Sequence, residues 1–149
     1  MSAAPLSIEL SIPSELGYEK IVREAVAAFA RRLGFDHERI EDLKTALGEA
    51  CTNAIEHGNG QLPGLRVNVS CICADGCLTV EVHDQGHQRF PAGAAALASD
   101  RTQAGRAAQR GMGLLLIAAL VDEAGFAESH DGGNRFRLAL YQRRSEAGE

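Results

Sequence analysis

The apolar residues of this chain change their period along its length, and the order of those changes leaves few folds open. Leu6, Ile8, Leu10 and Ile12 alternate with polar residues, the mark of a strand with one buried face. Pro13 ends that run, and Ser14 is placed to cap the element that follows. Tyr18, Ile21, Val22, Ala25, Phe29 and Leu33 then recur at helical spacing, with Gly34 as a natural stop. Asp36 offers a second N-cap. Ile40, Leu43, Leu47, Cys51, Ala54 and Ile55 form the stripe of a second helix, which runs out at Gly58 and Gly60. Alternation returns in two strands, Arg66–Cys73 and Cys77–Asp84, joined by the hairpin signal Ala74-Asp75-Gly76. Residues 87–110 show no period, and a loop that long inside a compact domain is a functional lid or a disordered segment. Leu114–Val121 is predicted to be a buried helix, and a closing hairpin after Gly132-Gly133 places Phe136, Leu138 and Leu140 on one face. Strands and helices come in separate runs. They predict an α+β two-layer sandwich, with helices on one face of a mixed, mostly antiparallel sheet.

Composition bounds the class. A chain of 149 residues, 45% of them hydrophobic, suits one domain over 1–149, with a frayed polar tail at 143–149. A formal net charge of −5 runs against a surface that grips a nucleic-acid backbone. The longest apolar run, Leu114–Val121, is far too short to span a bilayer, and no basic-then-apolar leader opens the chain. The expectation is a cytoplasmic protein with neither membrane nor nucleic acid as partner. Cys71, Cys73 and Cys77 form a C-x-C-x3-C cluster, with Cys51, His83 and His87 elsewhere. Zinc takes such ligands, but its knuckles present C-x2-C pairs and no second pair exists here. Cys71 and Cys73 alternate with Val67 and Val69, so they read as small, reduced core hydrophobes.

Three short segments carry chemistry. Glu49, Asn53 and His57 fall four residues apart and form one stripe beside the apolar face of the second helix. Such a stripe lines a pocket or makes a solvated flank. Asp84 follows Leu78, Val80 and Val82 on the inward face of its strand, where a carboxylate needs a hydrogen-bond partner. A ligand N–H, such as an adenine amino group, would serve; so would a simple turn with Gly86. Arg110-Gly111-Met112-Gly113-Leu114 stands where the aperiodic stretch meets a helix, and glycines at a helix N-terminus let backbone N–H groups approach a phosphate. The pattern is neither the Rossmann fingerprint nor a Walker motif.

Together and in this order, the three segments resemble the GHKL superfamily of ATP-binding domains, whose nucleotide site is the Bergerat fold. Within it, the chain is most similar to the small bacterial anti-sigma-factor serine/threonine kinases, over about Leu6 to Leu140. Glu49–Gly58 resembles the asparagine box, Asp84-x-Gly86 the adenine box, and Gly111-Met112-Gly113-Leu114 the glycine box. The resemblance implies ATP and Mg²⁺ as cofactors. It gives Asn53 to the metal, Asp84 to the adenine amino group, and Gly86 to the space beside the base. Gly111 and Gly113 would offer N–H groups to the phosphates, and Glu49 would be general base toward the attacking hydroxyl. His57, Arg110, Met112, Leu114 and Asn134 complete the implied nucleotide site, and residues 87–110 would form the ATP lid, with Arg101, Arg106 and Arg110 as candidate phosphate contacts. Two positions depart from the family pattern: Gln88 replaces the second glycine of D-x-G-x-G, and Gly133-Asn134 stands where Gly-Thr is usual.

The implied activity is phosphorylation of a serine on a small anti-sigma-factor antagonist, together with sequestration of a sigma factor. Arg23, on the first helix, either meets such a partner or lies on a solvated face. The alternative is a nucleotide-gated binding module without kinase activity, in which ATP switches a partner surface by ordering a segment. The N-terminal strand leaves an open sheet edge, and the resemblance implies a homodimer.

Overall fold

The computed structural model describes residues 4–62, 64–86, 93–94, 113–127 and 132–142. In chain order the elements are β1 (Leu6–Pro13), α1 (Glu19–Arg32), α2 (His37–Asn53), a π-helical turn (Ala54–Gly58), β2 (Arg66–Ala74), β3 (Cys77–His83), β4 (Gly93–Ala94), α3 (Gly113–Leu120), β5 (Glu123–Ala127) and β6 (Arg135–Tyr141). Local signals explain most of the boundaries. Asp36 is extended and its carboxylate accepts the Arg39 N–H at 2.8 Å, which starts α2. Gly34 takes φ +94°, and Phe35 N–H reaches back to Ala30 O at 3.1 Å, which closes α1. Asp75 and Gly76 both have positive φ between Ala74 and its cross-strand partner Cys77, the geometry of a two-residue hairpin turn.

Ser14 does not cap α1. The helix begins after Tyr18, which makes no side-chain cap, because a turn closed by Tyr18 N–H to Glu15 O separates it from the strand. Ser14 remains tied to the sheet through its N–H to Leu65 O at 3.1 Å, and its buried hydroxyl takes a different partner, described below.

The strands form one sheet in the order β1-β2-β3-β6-β5-β4. Every described pairing is antiparallel, so the sheet is more uniform than the mixed one expected. Register aligns the apolar residues into rows: Leu10, Val69, Val82, Phe136 and Phe126 in one, Ile8, Cys71, Val80 and Leu138 in the next. These rows face the helices. α2 lies between α1 and α3 and brings Leu43, Ala46, Leu47, Ala50 and Cys51 fully into the core. The alternate residues of the strands, such as Asn68, Glu81 and Arg137, face away from it. The result is the two-layer α+β sandwich expected, with helices on one face.

Two expectations change. α3 is not buried all round: Ile117 is fully enclosed, whereas Leu115 and Leu116 are 42% and 41% exposed, because α3 flanks α2 and only one side of it is covered. Gly93 and Ala94, inside the stretch without period, pair with Phe126 and Gly125 and extend the sheet. The rest of 87–110 lies outside the described residues, as does the tail. Cys51 and Cys71 are core residues, and Cys73 packs against the core partly buried. Cys51 and Cys71 are buried, and burial pushes the Cys71 thiol up to about 12 from the usual 9.0 and the Cys51 thiol higher still. Among the described residues, no group of three or more His, Cys, Asp or Glu side chains is arranged to hold a metal ion.

One ion pair ties distant parts of the chain together. The Arg39 guanidinium, in the first turn of α2, meets the Asp122 carboxylate just after α3, and Asp122 also accepts the Tyr141 N–H at 2.7 Å. Arg39 is buried, and its partner stands far away in sequence, so no local pattern announces it.

Candidate functional site

The inward row of β3 ends where the parity of the strand predicts, on Asp84, which is 3% exposed. Its carboxylate is held by protein donors. Oδ1 accepts the N–H of Asn134 at 2.9 Å and that of Gly86 at 3.1 Å, and the Asn134 side-chain amide donates to Oδ2 at 3.2 Å. The backbone closes the same pairing: Asp84 N–H donates to Asn134 O at 3.0 Å, one step beyond the β3–β6 ladder. Hydrogen bonds to the ionised form compensate a carboxylate for leaving water. Asn134, marked from sequence for the base, is therefore also the principal partner of Asp84.

Glycines allow this packing. A Cβ on Gly58 would stand 1.9 Å from Asp84 Oδ2; one on Gly86 would stand 1.5 Å from the carbonyl oxygen of Gly58. A Cβ on Gly133 would stand 1.9 Å from Asp84 O, and Gly133 also has φ +75°. Three backbone segments thus close on one carboxylate.

The helical side of the site comes from α2 and its π-helical end. Asn53 closes α2, and Asn59 N–H reaches the carbonyl of Ala54 at 2.8 Å, the wide spacing that defines the turn. Apolar spacing predicts ordinary helix over this stretch, because it does not distinguish an inserted residue within one turn. Asn53 and His57 both line a pocket with Ala50, Ala54, Val82, Asp84, Leu114, Phe126, Asn134 and Phe136. Phe126 and Phe136 meet edge to face, with ring centroids 5.1 Å apart, and form its apolar floor. A concave, mainly apolar pocket with a few convergent polar groups is the usual form of a small-molecule site. Asn53 Nδ2 is buried and has no partner among the described residues. A pocket-lining N–H donor left in that state is costly unless a ligand acceptor, such as a phosphate oxygen, engages it; a hard cation would take the amide oxygen instead.

The structure therefore brings together Asn53, His57, Asp84, Leu114 and Asn134, with Gly86 packed behind Asp84. Glu49 stands one turn upstream of Asn53, half-buried, and does not line the pocket. Gly113 opens α3, while Arg110, Gly111 and Met112, together with Gln88, Arg101 and Arg106, lie outside the described residues. Arg23 is half-buried: its stem crosses Gly48 of α2, with Cδ 3.0 Å from where a Cβ would stand, and its Nε is buried without a partner among the described residues.

Sequence reasoning does not single out Asn59. Its Nδ2 donates to Ser14 Oγ at 2.8 Å and to Arg66 O at 3.1 Å, and its Oδ1 accepts the Gln85 N–H at 2.7 Å. The Asn59-Gly60 dipeptide is a turn signal, which marks the end of a helix and says nothing of these partners.

Comparison with known proteins agrees with this arrangement. The model of the histidine kinase-like ATPase domain matches residues 12–140. A serine-protein kinase RsbW of Halalkalibacterium halodurans is 30% identical over 146 residues, which is 95% of this chain and 87% of that protein. Its counterpart in Bacillus velezensis is 41% identical over 86 residues, 58% of this chain and 54% of that protein, so the chain spans about half of the length of that relative. In fold, the chain is similar to the crystal structure of the RsbU and RsbW domains of a Mycobacterium tuberculosis protein, with a TM-score of 0.65 at 24% identity, covering 96% of this chain and 34% of that one. Among the described residues no helix is long and apolar enough to cross a membrane. The matched segment contains the whole pocket, and by it the chain belongs to the histidine kinase-like ATPase family.

Proposed function

We propose that the chain is an ATP-dependent protein serine/threonine kinase. It would phosphorylate a serine on a small anti-sigma-factor antagonist, and would sequester a cytoplasmic sigma factor when free of it. The observation that carries this reading is the single pocket lined by Asp84, Asn134, Asn53 and His57 together with the Phe126–Phe136 pair. Its chemistry suits a nucleotide: a fixed carboxylate for an exocyclic amine, aromatic edges for a base, and an unpartnered amide beyond. Asn53 would hold Mg²⁺, which when bound supplies charge neutralisation at the phosphates. The acceptor hydroxyl would give its proton to Glu49 as its oxygen bonds to the γ-phosphorus and the bond to ADP breaks.

Relatives named serine-protein kinase support the transfer chemistry. Arg23, held across Gly48 one residue before Glu49, is the proposed contact for a protein partner. Among the described strands β1 pairs only with β2 and leaves an open edge, which supports a homodimer. Sedimentation at micromolar concentration would then give twice the chain mass.

Incubation with Mg-ATP and the cognate antagonist, read by mass spectrometry, is the test. Stoichiometric phosphoserine on the antagonist is expected, and Glu49→Ala is expected to abolish it while ATP still binds. The position of Glu49 outside the pocket lining favours one competing reading, a nucleotide-gated binding module without transfer activity. ATP-dependent partner binding with no phosphoserine would establish that reading instead.

A further inference from the structure

Asn59 is 1% exposed, and all of its side-chain hydrogen-bonding capacity for donation is used. Its amide joins the end of β1, the start of β2 and the residue between Asp84 and Gly86. The same residue closes the π-helical turn through its own N–H. Gln85, whose N–H it accepts, in turn accepts the Arg66 N–H on its side-chain oxygen at 2.7 Å, so Asn59, Arg66 and Gln85 are each bonded to the other two.

The consequence lies on either side of Asn59. Gly58, immediately before it, supplies the carbonyl that abuts Gly86 and the Cα that abuts Asp84 Oδ2. Gln85, which it anchors, stands directly between Asp84 and Gly86. One side chain therefore sets the gap between the two backbone walls that enclose the Asp84 carboxylate. We infer that Asn59 is a positioning residue for nucleotide binding: it fixes the depth and orientation at which Asp84 meets the base, without touching the base itself. This rests on the reading of the pocket as the nucleotide site.

A purely structural Asn59 would stabilise the fold and leave the pocket indifferent; a positioning Asn59 stabilises the fold and also sets the pocket. Ser14 separates the two roles, because Ser14→Ala removes one bond to the same amide on the side away from Asp84. ADP affinity by calorimetry and Tm are measured for the wild type, Asn59→Ala and Ser14→Ala. Both variants are expected to melt earlier. Asn59→Ala alone is expected to bind ADP about tenfold or more weakly, the usual consequence of leaving a buried partner unsatisfied. A folded Asn59→Ala with unchanged ADP affinity, or an equal loss in Ser14→Ala, overturns the inference. If Asn59→Ala does not fold, amide exchange of Gln85 in the wild type decides. Protection already present without ADP supports the inference, and protection that arises only with ADP overturns it. A wild type that binds no ADP removes the nucleotide reading itself, a separate failure that takes the inference with it.

Discussion

The two ends of the pocket are built on opposite plans. At the base end, Asp84 has donors from Asn134 and Gly86, three glycines bring backbone within contact of it, and Asn59 ties the walls together. At the helical end, Asn53 carries a buried amide with no partner among the described residues, and Glu49 stands apart from the lining. The base end is complete before a ligand arrives; the helical end becomes complete only with one. On the proposed nucleotide reading, recognition is preorganised, and the groups proposed for metal and proton transfer are less tightly fastened to the fold. Mutation should expose this asymmetry: changes at the base end should cost stability and binding together, while changes at the helical end should cost function alone.

The largest effect is expected from Gly86→Ala. Its Cβ would meet backbone on the opposite wall, where no flexible side chain gives way, so a loss of about 3 kcal/mol or more is expected in urea unfolding. An unchanged midpoint would break the close-packed description of the base end. Asp84→Asn should weaken ATP by about 2 kcal/mol in calorimetry, the scale of a hydrogen bond to a charged group, and should also lower Tm. Equal ATP affinity in this variant would remove Asp84 from the site.

The core beneath both ends supplies a reference that belongs to neither. The folded chain keeps the Cys71 thiol neutral up to about 12, whereas the unfolded chain releases its proton from about 9.0. The contribution of such a thiol is therefore constant below pH 9 and falls as pH rises from 9 toward 12, by about 1.4 kcal/mol per pH unit for each thiol. Urea unfolding at pH 8 and 10 measures it, and Cys71→Ala should reduce the slope by one thiol's share, that of Cys51 remaining. The smallest effect on stability belongs to Asn53→Ala. Removing an amide without a partner should change unfolding free energy by about 0.5 kcal/mol or less, yet abolish the Mg²⁺ dependence of ATP binding. A large loss of stability there would show that the helical end is fastened to the fold as firmly as the base end.

Local chemistry made much of this legible. Period-two spacing located β1, β2, β3 and β6, and strand parity alone pointed Asp84 inward. Asp36, Gly34 and the Asp75-Gly76 turn acted as their residue types dictate. What stayed hidden depends on partners distant in sequence. Asn59 meets Gln85 and Ser14, Arg39 meets Asp122, and Asn134 meets Asp84, none of them within reach of any local window. The exposure of Leu115 and Leu116 was hidden for a related reason: a short helix apolar all round does not disclose which side its neighbour covers. The π-helical turn leaves no mark in hydrophobic spacing at all.

That turn constrains how the chain can vary in length. It accommodates one more residue than an α-helical turn would between Ala54 and Asn59. Deleting one residue there would leave a regular α-helical turn, closed by the same bond from Asn59 N–H to Ala54 O. Asn59 and its contacts with Ser14 and Gln85 would keep their places, and the residues between Ala54 and Asn59, the pocket-lining His57 among them, would turn to face elsewhere. The extra residue thus keeps His57 on the pocket while Asn59 stays on the sheet, and Gly58 between them admits no side chain. The segment's residue count is therefore a fixed dimension of the site.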